Sequence, residues 1–329
     1  MELAMHTFAR LVRLLLGPAA IAQSKLECAA ELVVLGVELQ MRPSGCKCRP
    51  SASKMLKCVG CDTHRGTRRM FLFVCICRCI AVIEEALQSG KLFGGCAQKL
   101  AGRLNWAVQY LFQRLGRAML KPIYEQRFST NGDLSPALCS ALEWWLWVLK
   151  QDIVQEKPWK TVSSPPAHLF VDARSTPARC AAVLFIDGRT LYTDGAPAER
   201  LMEQFQERSD NQIMSLEILA IVVGLSTFTA ELYGRKVIVW GDNAGAEHAT
   251  RKGSTRSWDH CRLIHSIWTH ALMNRMALWV ERVDSESNIS DLPSRERYEL
   301  LKEFDDVIWK EPQVAQLHVL QAPRGAPPV

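Results

Sequence analysis

The chain has 329 residues, 48% of them hydrophobic and 22% charged. That length suits about two domains, and the balance excludes an intrinsically disordered chain. The net charge of +6 is unevenly divided: residues 1–150 carry 20 Lys and Arg against 10 Asp and Glu, and the remainder carries 20 against 24. A basic half suits a polyanion, and an acidic half suits metal ions. No apolar run reaches the roughly 20 residues that cross a bilayer. The nearest, over 70–83, is interrupted by Arg78. The apolar stretch 14–22 follows Arg10 and Arg13 but is short and contains Pro18, so no cleaved signal is expected. Nothing else argues for secretion, so the twelve cysteines read as reduced thiols of a cytoplasmic or nuclear protein without a membrane partner.

In chain order, residues 5–22 read as a helix that stops at Gly17-Pro18, and 32–39 as a strand. Residues 41–69, rich in Arg, Lys, Ser, Gly and Cys, read as loop. Cys75, Cys77 and Cys79 alternate as they would on one face of a short strand. Cys46, Cys48, Cys58 and Cys61, with His64 nearby, are candidate Zn²⁺ ligands. From 91 to 124 the pattern is helical and ends at Pro122. Leu100, Leu104, Ala107, Leu111, Leu115 and Ala118 form an apolar stripe. Another face carries Lys99, Arg103, Trp106, Tyr110, Arg114, Arg117 and Lys121, which suits phosphates and stacked rings. Ser135-Pro136 reads as an N-cap with Pro at the first helical position, opening a helix through Trp144 and Trp145 to Lys150. The run 163–166, Ser-Ser-Pro-Pro, marks a domain boundary.

Beyond it, 168–172 reads as a strand ending on an acid, and 180–186 begins a hairpin across Asp187-Gly188. Residues 215–228 and 255–275 read as helices, 236–240 and 277–283 as strands, and 289–295 as a last short helix. Asp172 and Asp242 then lie at the carboxyl ends of strands, Glu217 in the first turn of a helix and Asp291 at the start of another. Ligands of α/β sheets gather at those strand ends. Four carboxylates brought together repel one another unless they bind cations. Hard oxygen donors suit Mg²⁺ or Mn²⁺, and two such ions support in-line phosphoryl displacement. Taken singly, each acid also reads as a strand-end, turn or helix-cap residue.

Leu-Phe-Val-Asp172, Ser215-Leu-Glu217-Ile-Leu-Ala220, Trp240-Gly-Asp242-Asn243 and Asn288-Ile-Ser-Asp291-Leu-Pro-Ser-Arg295 occur in the order of the four motifs of ribonuclease H domains, and each resembles its counterpart. The resemblance implies a mixed five-stranded sheet flanked by helices over 166–300, with Asp172, Glu217, Asp242 and Asp291 catalytic and holding two Mg²⁺ or Mn²⁺ ions. Upstream, Gly17-Pro18, Lys25-Leu-Glu27 and Leu35-Gly36-Val37 resemble the end of a reverse transcriptase palm. Ala97-Gln-Lys99-Leu-Ala-Gly102-Arg103 and Arg114-Leu-Gly-Arg117 resemble its thumb and connection, and the Trp144-Trp145 helix resembles the same region of DIRS-type retrotransposon Pol proteins. On that likeness the chain divides into a palm remnant (1–40), a poorly ordered Cys-rich insertion (41–83), a mainly helical thumb and connection region (84–160), the ribonuclease H-like domain (166–300) and a flexible tail (312–329).

The resemblance implies a metal-dependent hydrolase that cuts the RNA strand of an RNA–DNA hybrid, with the missing polymerase portion of a Pol polyprotein as a second partner. The paired-aspartate polymerase motif is absent, so no polymerase activity is expected of the chain alone. Two departures point to the alternative, a catalytically inactive retroelement remnant that still binds nucleic acid. Residues 283–288 hold no histidine, and the loop after Asp172, Ala-Arg-Ser-Thr-Pro, holds no glycine.

Overall fold

The computed structural model describes residues 31–34, 37–42, 45–50, 71–110, 114–150, 155–158 and 164–314, apart from 208, 210, 302 and 305. The chain divides into two compact units, one of 1–81 with 149–162 and one of 82–148 with 163–329.

In the first unit, β1 (Glu31–Val34), β2 (Val37–Arg42), β3 (Gly45–Pro50) and β4 (Gln155–Pro158) form an antiparallel sheet in that order. The strand expected over 32–39 is therefore two strands that fold back on each other, with Val34 opposite Val37. The loop expected over 41–69 is partly strand: β3 sets Cys46 opposite Met41 and Cys48 opposite Leu39. A sheet is held by pairing with distant residues, here 155–158, which local composition does not reveal. Cys58, Cys61 and His64 lie outside the described residues, as do the helix expected over 5–22 and the palm likeness before Glu31.

Cys75, Cys77 and Cys79 belong to a helix, α1 (Phe71–Ser89), and not to a strand. Its buried Cys79, Ile83 and Ala86 are four and three residues apart, which is the helical period. In the second unit follow α2 (Gly94–Tyr110), a 3-10 turn (Ala118–Leu120), α3 (Lys121–Gln126) and α4 (Pro136–Lys150). The one helix expected over 91–124 is thus divided. Gly116 takes a left-handed φ of 79°, and a Cβ there would meet the rings of Trp144 and Trp145 at 2.9 Å. Pro122 accordingly sits in the first turn of α3, where its missing N–H costs nothing, and does not end a helix. The N-cap of α4 forms as expected: the N–H of Leu138 donates to Ser135 Oγ at 3.2 Å. The edge of Trp144 meets His265 with ring centroids 4.5 Å apart. Both rings belong to the second compact unit, which holds residues 82–148 together with 163–329.

The main sheet contains β5 (Ala167–Ser175), β6 (Ala178–Ile186), β7 (Arg189–Gly195), β8 (Lys236–Gly241), β9 (Ala277–Arg282) and β10 (Val307–Trp309), in the order β10-β7-β6-β5-β8-β9. β5, β6 and β7 run antiparallel, and β8 and β9 continue parallel to β5. Asp187 and Gly188 both have positive φ (49° and 75°), as a tight two-residue hairpin turn requires. The sheet has six strands, not five. The sixth, β10, is a three-residue edge strand parallel to β7, held also by Lys310 N–H to the Tyr192 carbonyl at 2.8 Å. A run that short carries no periodicity to read.

The helices of this part are α5 (Glu199–Met202), α6 (Ile213–Thr227), α7 (Thr229–Leu232), α8 (Ala244–Lys252), α9 (Trp258–Met273), α10 (Asp291–Ser294) and α11 (Tyr298–Leu301). α6 is buried from Ser215 to Thr227, between the sheet and α9. The core joins Leu169, Val171, Val237 and Val239 of the sheet to Leu219 and Val222 of α6 and Leu263 and Ile267 of α9. A Cβ on Gly224 would meet the Ala182 Cβ at 2.9 Å, so α6 lies unusually close to β6. α8 was not expected from the sequence, although both its ends are marked. Asn243 Oδ1 accepts from the Ala246 N–H at 3.0 Å, and Gly253 closes the helix with φ 83°.

Candidate active site

Asp172 lies within β5, which pairs with β6 for three residues beyond the acid expected to end it, Asp242 lies directly after β8, and Glu217 lies in the first turns of α6. Because β5 and β8 are parallel neighbours, their carboxyl ends open side by side. α6 packs on β5 and β6 and carries Glu217 in a mainly apolar, buried stretch, Ile-Met-Ser-Leu-Glu-Ile-Leu. Each of the three residues offers one carboxylate oxygen, and these oxygens lie within 4.8 Å of one another. Asp172 and Glu217 are buried and Asp242 is half-buried.

Burial dominates the electrostatics. It raises the Glu217 carboxyl to about 9, with the Asp172 and Asp242 charges adding to the effect. It raises Asp172 to about 6, against a lowering hydrogen bond from Ser294, and the Asp242 and Asp291 charges push it further up. Three carboxylates crowded this way either hold protons or hold a cation. The donor set is all hard oxygen, which fits a divalent ion such as Mg²⁺ or Mn²⁺.

A buried polar bracket orients the centre. Asn288 Nδ2 donates to the Val171 carbonyl at 3.0 Å, Ser290 Oγ donates to Asn288 Oδ1 at 2.6 Å, and Ser294 Oγ donates to Asp172 Oδ2. All three residues are buried, and they pin the 288–294 turn onto β5 beside Asp172. The late motif supplied these residues to the sequence reading only as neighbours of Asp291. Their role emerges from contacts across more than 100 positions.

Of the four expected carboxylates the structure gathers three. Asp291, at the start of α10, stands outside the set, and its Oδ1 accepts from Arg295 Nε. It is near enough for its charge to act on Asp172.

The expected basic face does not form on one helix. Lys99 is exposed and Arg103 half-buried on α2, while the side chains of Trp106 and Tyr110 are outside the described set. Arg114 lies over the Trp268 ring at 4.9 Å, Arg117 Nη1 donates to the Lys252 carbonyl at 3.0 Å, and Lys121 pairs with Glu125. Arg114 and Arg117 thus dock the helical segment onto α8 and α9. Arg117, Lys121 and Arg127 also line an open cleft that Tyr124 and Thr255 share. Among the described residues, no helix is long and apolar enough to cross a membrane.

No protein-family model matches the chain, and no curated protein matches it. Among solved structures, it is similar to RNase H1 from the halophilic archaeon Halobacterium salinarum. The similarity has 15% identity and a TM-score of 0.31, and it covers 41% of this chain and 98% of that one.

Proposed function

We propose that the chain is a divalent-metal-dependent endonuclease that hydrolyses the RNA strand of RNA–DNA hybrids. The observation that carries this reading is the meeting of Asp172, Glu217 and Asp242 within 4.8 Å at the carboxyl ends of two parallel strands. On this reading those three residues hold Mg²⁺ or Mn²⁺, and Asp291 joins them once released from Arg295. The bound metal supplies charge neutralisation at the phosphate and lowers the barrier to in-line displacement by water. Ser294 holds the Asp172 carboxylate in one orientation, and Asn288 and Ser290 hold the turn that carries Ser294. The apolar walls around Glu217 exclude bulk water from that side of the centre. Hydrolysis breaks the bond from phosphorus to the 3′ oxygen and leaves a 3′-hydroxyl and a 5′-phosphate. The likeness of the four motifs to retroelement ribonuclease H domains makes a retroelement Pol protein the source we favour. Lys99 and Arg103 then serve as phosphate contacts.

The test is incubation of the full chain with an end-labelled RNA–DNA hybrid in Mg²⁺, in Mn²⁺ and in chelator. Cleavage of the RNA strand alone, dependent on metal and reduced at least about a hundredfold in Asp242→Asn, is the expected result. A second reading, a nucleic-acid-binding relic without turnover, draws on the Asp291–Arg295 pair and on the lack of histidine over 283–288. Binding of the hybrid with no cleavage in either metal selects it.

A further inference from the structure

Two residues beyond Asp172, Arg174 stands directly opposite Arg179 in the β5–β6 register. Like charges facing each other across a strand pair are destabilising unless an anion lies between them. Here the anion is Glu296: Arg174 Nη2 donates to its Oε2 at 3.0 Å, and Arg179 Nη2 donates to its Oε1 at 2.8 Å. Both guanidinium groups are fixed from behind. Arg174 Nε donates to the Pro177 carbonyl at 3.2 Å. Arg179 Nη1 donates to the buried Asp194, whose Oδ2 also accepts from the Tyr298 hydroxyl at 2.8 Å. Each arginine therefore turns its Nη2 group to Glu296, and the two groups converge on one pair of oxygens. A phosphodiester offers the same pair in its two non-bridging oxygens.

The occupant is held at a backbone position that disfavours it. Glu296 follows α10 with φ 62°. Its N–H donates to the Pro293 carbonyl and that of Arg297 to the Leu292 carbonyl, the pattern of a helix end that usually takes glycine. Its side chain is nonetheless 46% exposed, so it is open to exchange.

We propose that Arg174 and Arg179 form a phosphate site for a nucleic-acid strand running past the acidic centre, and that Glu296 is the internal occupant the strand displaces. This rests on the nuclease reading for the identity of the strand. β5 rises about 3.3 Å per residue and alternates its side chains, so Arg174 lies on the Asp172 side about 7 Å further along. That is the scale of neighbouring phosphates on one strand.

The experiment measures binding of a fluorescent RNA–DNA hybrid to the full chain in chelator over a range of salt. Glu296→Gln keeps the shape and removes the charge, whereas Glu296→Gly removes the occupant and suits the backbone. Both are expected to tighten binding about threefold or more at low salt and to steepen the log Kd against log salt slope by about 0.9, the signature of one added phosphate contact. Adding Arg174→Gln to Glu296→Gln should return both values to those of the unmodified chain. Unchanged affinity and slope in both single variants, in a chain that binds hybrid, overturns the proposal and makes the cluster a structural lock. So does stabilisation of Glu296→Gln by inorganic phosphate alone with no gain for the hybrid, and so does absence of hybrid binding throughout. If the variants gain affinity but no metal supports cleavage, the phosphate site stands and the nuclease reading falls.

Discussion

Glu217 and Asp172 keep their protons far above the ordinary carboxylate range because burial removes the water that would stabilise their charge. This has a measurable sign. A group whose pKa is higher in the folded chain stabilises the fold below its unfolded pKa, and that contribution is lost as pH rises through the folded value. In chelator, thermal stability should therefore decline as pH rises from about 4, through the Asp172 value near 6 and towards the Glu217 value near 9. Mn²⁺ should reverse the trend, because it binds only the ionised set. Melting curves with and without Mn²⁺ across this range check both statements, and a metal shift that does not grow with pH would count against the centre. Both residues carried their motifs in the sequence. Their mutual distance and burial did not, since they come from two separate elements, β5 and α6.

At the level of elements, strong local signals were sufficient and weak ones were not. The hairpin at Asp187-Gly188, the capped start of α4 and the apolar run of α6 all form where expected. Near Gly116 the helical pattern misled, because apolar spacing continued through a residue whose backbone is left-handed and lies against the Trp144 and Trp145 rings. Gly116→Ala should cost about 1–3 kcal/mol, since Ala meets both a disfavoured φ and rings at 2.9 Å. Denaturant unfolding would show it as a lower midpoint, and an unchanged midpoint would mean the turn tolerates a side chain. The cysteine alternation misled for the opposite reason: three residues at spacing two fit a strand, yet the longer spacing of Cys79, Ile83 and Ala86 fits α1.

For the whole second unit, the docking of the tryptophan helix on α9 decides cooperativity. His265 sits in that contact, almost fully buried, and burial lowers it to about 3. The unfolded chain then takes up a proton as pH falls below about 6.5 while the folded chain does not, so stability is lost from there down to about 3. His265→Phe should flatten the part of the acid-unfolding profile that lies between those values. If the profile of the variant matches that of the parent, the histidine is not the group responsible. Trp144 and Trp145 share this contact, so acid should unfold the helical segment 82–148 and the main sheet together.

The sequence by itself determined the α/β character of residues 166–300, the type of most of its elements and the identity of the four acids, because apolar periodicity, turn chemistry and short motifs are local properties of the chain. Only the tertiary structure decided which acids meet, that Arg295 holds Asp291 apart, that Asn288, Ser290 and Ser294 orient Asp172, and that Arg114 and Arg117 serve docking. It also added β10 to the sheet and joined the helical segment to the same unit. These outcomes depend on contacts between residues far apart in the chain, and their strength is set by burial, which exists only once the core has closed.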